Sequence, residues 1–141
     1  GDELFFAGLH HYFRQWNGRH PLPYDFFYSM NAGSGKNLNW FWKRWFFDNT
    51  VPDIGIAKFV NGVKQKTLTV KNLGGKPVPV HVNITYKDGS MEKIYKSAAV
   101  WEKGNTSTII SFSSAKMVAY ITLGSLHIPD ANKQDNEWKE K

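Results

Sequence analysis

The stretch Asn37–Asn49, NLNWFWKRWFFDN, limits the possible folds of this chain more than any other. Leu38, Phe41, Trp42, Trp45, Phe46 and Asn49 fall at the i, i+3, i+4, i+7, i+8, i+11 spacing of one helical face. Five of these six are apolar and four of the five are aromatic, a pattern that predicts a buried helix. Trp40 and Phe47 lie off that face, so the helix needs apolar neighbours on more than one side, a demand that strains one small domain.

The aromatic residues also divide the chain. Fifteen of the twenty-two Phe, Trp and Tyr lie in residues 1–50. A first helix, capped by Asp2 and running to about Trp16, carries Phe5, Leu9, Tyr12, Phe13 and Trp16 as one stripe. Asn17-Gly18 ends it. Pro21 and Pro23 forbid continuation, and Pro23 suits the first position of a second helix, PYDFFYSMNA, closed by Gly33 and Gly35. The turn Ser34–Lys36 then delivers Asn37 as the N-cap of the aromatic helix.

At Asn49-Thr50-Val51-Pro52 the hydrophobic period changes from helical to two. Ile54–Val60, Asn61-Gly62 and Val63–Asn72 read as a hairpin with a type I′ turn. In the next strand Val78, Val80, Val82, Ile84 and Tyr86 alternate with Pro79, His81, Asn83 and Thr85. Further strands are predicted at Met91–Trp101, Thr106–Phe112 and Met117–Leu123, with turns at Asp88-Gly89, Lys103-Gly104-Asn105 and Ser113–Lys116. Six or seven short strands without intervening helices predict an immunoglobulin-like antiparallel β-sandwich. The expected organisation is α+β: about three helices in residues 1–50, a sandwich in 51–128, and a polar tail in 129–141 that loses periodicity and ends in disorder.

A chain of 141 residues, 41% hydrophobic and 21% charged, is of a size to bury a core. No run approaches the roughly 18 apolar residues of a membrane span, and no signal-peptide pattern opens the chain. Gly1-Asp2 without an initiator Met reads as the start of a piece taken from a longer protein. The absence of cysteine excludes disulfides, thiolate metal sites and Cys nucleophiles. The net charge of +6 is carried by lysines scattered singly over the β region, without a basic run interleaved with aromatics, so nucleic-acid binding is not indicated.

Catalytic patterns are missing from the sequence. There is no H-E-x-x-H and no H-x-H, and His10-His11 point about 100° apart on a helix and cannot chelate together. His20 and His127 fall in predicted loops, and His81 on the polar face of a strand. Ala32-Gly33-Ser34-Gly35-Lys36 is only part of a phosphate loop and follows a helix rather than a strand. No G-x-S-x-G elbow occurs, and the acidic residues sit mostly at turns or in the tail. Asn83-Ile84-Thr85 and Asn105-Thr106-Ser107 fit the glycosylation triplet. No catalytic, cofactor-binding or metal residue is assigned.

Tyr12-Phe13, Trp16, His20-Pro21, Asp25-Phe26-Phe27, Met30, Ser34-Gly35, Leu38, Phe41, Trp45 and Pro52 occur in an order that resembles the end of the catalytic domain in zinc aminopeptidases of the aminopeptidase N family. The following sandwich is similar in kind to the family's next domain, and Pro129-Asp130 to Asn136 resembles the C-terminal ending of some bacterial members. The resemblance implies a parent gluzincin in which two His of H-E-x-x-H and a downstream Glu hold zinc, the motif's own Glu is the general base, and a Tyr stabilises the oxyanion. Those residues, and the G-x-M-E-N exopeptidase signature, belong N-terminal to Gly1 and match no position here. The zinc and the peptide substrate are therefore the parent's. Asp25 is expected to be a first-turn helix residue rather than a substrate contact.

The expected function is that of a non-catalytic structural portion of a zinc aminopeptidase, with the rest of the catalytic domain as partner. A homodimer through residues 1–50 is the expected alternative cover for the aromatic helices. The compartment is not legible; a bacterial, periplasmic or exported parent is the expectation. Two other classes are an adhesion or carbohydrate-binding sandwich and a helical interaction module. The former needs exposed aromatics in the β region, whereas Phe59, Tyr86, Tyr95, Trp101, Phe112 and Tyr120 fall on positions that suit a core.

Overall fold

Proline and glycine punctuate the first 48 residues into three helices in a computed structural model of the protein, which describes residues 1–140. They are α1 (Asp2–Trp16), α2 (Pro23–Ser34) and α3 (Asn39–Phe46). Pro23 opens α2, and the Asp25 carboxylate accepts the Leu22 N–H at 2.7 Å, satisfying a donor that the helix leaves unpaired. Asp25 therefore works as a first-turn residue. Gly35, at φ 64°, closes the helix in the left-handed region that favours glycine.

Gly33 does not end α2 as expected but lies within it. A Cβ there would fall 2.5 Å from the His11 Cβ and 2.7 Å from the Gly8 Cα, so Gly33 and Gly8 let α1 and α2 cross closely. Buried Met30 lies against Gly8, and the Trp16 indole donates to Ser29 Oγ at 3.2 Å.

The aromatic helix differs from its expectation in length and burial. It begins one residue beyond Leu38, with Asn37 Oδ1 accepting the Asn39 N–H at 3.1 Å, and stops at Phe46. No residue of it is fully buried. Phe27 on α2 takes the centre, in ring contact with Trp42, Phe46 and Phe47, while Phe46 and Phe47 remain 60% and 53% exposed.

The second compact unit begins at Asn49 and is an immunoglobulin-like antiparallel sandwich. Its strands are β1 (Ile54–Asn61), β2 (Gln65–Asn72), β3 (Val80–Tyr86), β4 (Met91–Lys96), β5 (Ser107–Ser113), β6 (Val118–Leu123) and β7 (Glu137–Lys139). One sheet has the order β1-β2-β5 and the other β4-β3-β6-β7. The alternation read for β3 holds at every position: Val80, Val82, Ile84 and Tyr86 are buried, and His81, Asn83 and Thr85 are half-buried on the outer face. Leu68, Val70, Ile110, Phe112, Val118 and Ile121 complete the interior.

Three local expectations are corrected. Neither Asn61 nor Gly62 has positive φ, so the hairpin turn is not type I′. The loop is instead held by Lys66, 2% exposed, whose ammonium donates to Gly62 O at 3.0 Å and Ser114 O at 2.8 Å, joining the β1–β2 and β5–β6 loops. The strand predicted over Met91–Trp101 ends at Lys96, and Ala98–Trp101 is a 3₁₀ turn that buries Trp101 with its indole donating to Val78 O at 2.8 Å. The described tail residues do not lose structure: β7 pairs with β6, and Trp138 packs edge-on against Phe59 with ring centroids 4.6 Å apart.

Two substitutions test these features. Val82→Asp, at a position 1% exposed, is expected to cost more than about 3 kcal/mol by burying a carboxylate, whereas His81→Asp, which loses only its ring contact with Tyr95, is expected to cost about 1 kcal/mol or less. Denaturant titration of the sandwich reads both. Gly33→Ala is expected to cost about 1–3 kcal/mol in the helical unit by forcing α1 from α2, measured by loss of helical circular dichroism.

Candidate functional site

The helical unit carries a face rather than a catalytic cleft. Asn31 on α2 organises it: its Oδ1 accepts the Trp42 indole N–H at 3.0 Å and the Leu38 N–H at 3.2 Å, while its Nδ2 donates to Asn39 Oδ1 at 2.8 Å. These bonds fix α3 against α2. A shallow cavity of about 220 Å³ lies beside them, lined by Tyr24, Phe27, Tyr28, Trp42 and Phe47 with Asn39 and Lys43 at the polar positions. The Tyr24 ring stacks on Phe47 at 5.6 Å, and Tyr24 and Tyr28 are themselves exposed. On α1, Leu4, Phe5, Phe6 and Phe13 are exposed as well. Large apolar side chains exposed in this number on so small a unit favour a role in docking another surface.

The sandwich brings together three carboxylates that no sequence spacing reveals. Asp53 precedes β1, Asp130 and Asp135 lie in the C-terminal segment, and one oxygen from each lies within 4.8 Å of the others. Three hydrogen bonds use part of their acceptor capacity. Asp130 accepts the Ile54 N–H at 3.2 Å and the Asn132 N–H at 3.0 Å, and Asp135 accepts the Asn132 side-chain amide at 3.1 Å. One buried oxygen of Asp53 and one of Asp135 have no partner. Burial first, then the charges of Asp135 and Asp130, push the Asp53 carboxyl above the ordinary aspartate range. The cluster can share a proton or meet a cation, but its geometry is that of a clasp: Ile54 N–H to Asp130 and Ala131 N–H to Pro52 O (2.9 Å) tie the C-terminal segment to the start of β1.

The histidines fall apart in space as they do in sequence. His10 and His11 lie on α1, His20 and His127 are exposed in loops, and His81 packs edge-on against Tyr95 at 4.8 Å. None joins a metal-competent group among the described residues. Of the two glycosylation triplets, Asn83 donates to Thr122 Oγ1 and Gly124 O from the sheet face, and Asn105 sits exposed in a loop. Tyr86, Trp101 and Phe112 are buried as expected and Phe59 and Tyr120 half-buried, but Tyr95 is 58% exposed, contrary to its expected core position. One exposed ring is a poor platform for a sugar.

Neither a known protein-family profile nor a curated protein sequence matches the chain. A solved structure does: aminopeptidase A of Legionella pneumophila in complex with aspartic acid superposes with a TM-score of 0.63 at 19% identity. The match covers 87% of this chain and 14% of that one, so the chain spans about a seventh of the length of its structural neighbour. At this identity the likeness establishes an aminopeptidase-like fold, helices followed by sandwich.

The acidic clasp generates a pH prediction. A carboxyl whose folded pKa is raised binds its proton more tightly folded than unfolded, so Asp53 destabilises the sandwich increasingly as pH rises from about 4 through its folded pKa. Asp53→Asn is expected to raise the unfolding temperature at pH 7 and to lose that advantage near pH 3. Thermal melts across this range decide it.

Proposed function

We propose that this chain is a structural, non-catalytic portion of a zinc-dependent aminopeptidase, with the helical unit completing the base of the catalytic domain and the sandwich supporting it. The observation that carries the reading is the exposed aromatic face of the helical unit, in a chain whose fold matches a seventh of an aminopeptidase. Phe5, Phe6, Phe13, Phe46 and Phe47 are all more than half exposed, and fully burying a side chain of this size is worth about 1.5–3 kcal/mol. The motif order from Tyr12 to Pro52 supports the aminopeptidase N family, and the proposed cover for the face is the remainder of that catalytic domain.

Zinc does not fit the residues at hand. A catalytic zinc is typically held by three protein ligands that include imidazole, whereas the five histidines enter no three-ligand group among the described residues and the group that does form, Asp53, Asp130 and Asp135, is all carboxylate, a set that suits harder cations. The metal and the general base belong to the part of the parent that carries H-E-x-x-H, and this chain's own contribution is packing.

The test compares this chain with the longer reading frame that contains it. The chain alone is expected to hold no stoichiometric zinc after dialysis and to leave aminoacyl-arylamides intact, while the longer protein holds one zinc per chain and hydrolyses them. Tightly held zinc in the chain alone, or a longer frame without H-E-x-x-H, would overturn the proposal.

A further inference from the structure

Three side-chain oxygens of the sandwich are buried with no hydrogen-bond partner: Asp53 Oδ1, Asp135 Oδ1 and Asn136 Oδ1. Each is an acceptor, and a buried acceptor left unpaired is costly, so what this place lacks is a donor or a positive charge. No basic side chain supplies it. Among the described residues Asp53, Asp130 and Asp135 enter no ion pair, and the ion pairs of the sandwich are Lys87–Glu140 and Lys116–Asp88.

Asn136 turns toward the same place as the carboxylates. It is 4% exposed, and its carbonyl accepts the Leu123 N–H at 2.8 Å, one step before the pairing Thr122↔Glu137. Residues opposite one another on antiparallel strands share a face, so the Asn136 side chain points inward with that of buried Leu123. Trp138, two residues on, shares this face and reaches Phe59 of β1, the strand that Asp53 precedes. Gly55 of β1 makes room there, since a Cβ on it would fall 2.9 Å from Asp135 Cγ. One oxygen from each of the three carboxylates lies within 4.8 Å of the others, the span of two ligands on opposite sides of an ion with bonds of about 2.4 Å. An open cavity of about 370 Å³ lined by Asp130 and Asn136 gives an ion and its waters a way in.

We propose that Asp53, Asp130, Asp135 and Asn136 form a calcium site that locks the C-terminal segment to the start of β1. Donors that are all oxygen select a hard cation over zinc or copper. Calcium accepts roughly six to eight oxygens at irregular angles, carboxylates and water included, whereas magnesium demands a near-ideal octahedron. Side chains from two separate segments, with water from the cavity, suit the more tolerant ion. Its charge offsets the repulsion among the carboxylates and gives the orphaned oxygens a partner. The site stands independently of the aminopeptidase reading.

Isothermal titration of the whole chain with calcium chloride, after EDTA treatment and transfer to metal-free buffer, tests the site. One calcium per chain is expected, with magnesium bound at least tenfold more weakly. Calcium at about ten times its dissociation constant is expected to raise the melting temperature of the sandwich by about 5–10 °C over EDTA. It is also expected to slow hydrogen exchange at the Ile54 and Ala131 amides, which hold the segment in place. Asp135→Asn, which keeps the shape of the side chain, and Asn136→Leu are each expected to weaken binding tenfold or more. Asp53→Asn separates the ion from simple charge repulsion, because the variant is expected to melt above the parent in EDTA and at or below it in calcium. Absence of calcium binding up to about 10 mM, beyond the range of the weak calcium modules, overturns the proposal. So does binding that all three substitutions leave unchanged, or a preference for magnesium.

Discussion

A unit of 48 residues encloses little interior, because surface falls more slowly than volume as chains shorten, and fifteen aromatic side chains exceed what it can hold. The helical unit uses the interior it has for Phe27 and Met30, the hinge points of its packing. The Gly8–Gly33 crossing brings α1 and α2 close, and Asn31 fastens α3 to α2 by hydrogen bonds where apolar contact is thin. Seven of the other aromatics are half-buried, and Phe5, Phe6, Phe13, Tyr24, Tyr28, Phe46 and Phe47 stay exposed at a cost that another surface would remove. The proposed role of this unit follows from that imbalance more than from any reactive group.

The sandwich has no such deficit. Its two sheets close over a layer of Val, Ile and Leu, and outside the Asp53–Asp135 cluster several polar groups drawn into it have partners: Lys66 with two carbonyls, Trp101 with the Val78 carbonyl, and Tyr86 donating to Glu92. Burial, reinforced by that bond to Glu92, holds the Tyr86 phenol above its usual range. At the next turn the Ser90 hydroxyl, and then the Lys116 ammonium, hold Asp88 well below the usual carboxylate range. These groups are committed to fixing turns, which leaves the outer surface of the sheets free to vary in charge.

Period and punctuation made the three helices and β3 legible, because Pro23, Gly35 and the strict alternation of Val80, Val82, Ile84 and Tyr86 act locally. What failed depended on partners distant in the chain. The stripe of α3 correctly indicated a helix, but burial requires a surface to pack against, and sequence periodicity does not report whether one is present. Gly33 looked like a stop because glycine commonly ends helices; here it serves a close approach to Gly8, set by a different helix. Asn61-Gly62 suggested a tight turn, yet the buried ammonium of Lys66 holds a wider one. β7 is too short to show a period, and its anchor is one residue, Trp138, whose contact Phe59 lies at the far end of the unit's sequence. The carboxylates of Asp53, Asp130 and Asp135 share no spacing, so the clasp exists only after folding.

That clasp sets like charges against one another where an apolar or amide group would be less costly. The like charges of Asp53, Asp130 and Asp135 raise the energy of the sandwich at neutral pH, while the backbone N–H bonds to Asp130 lower it by anchoring the last segment over β1. The anchoring has a consequence for the edges. With the segment in place, the start of β1 is tied to Asp130 and Ala131 and the strand is bulged, so this margin of the three-stranded sheet is closed to a further strand at its start.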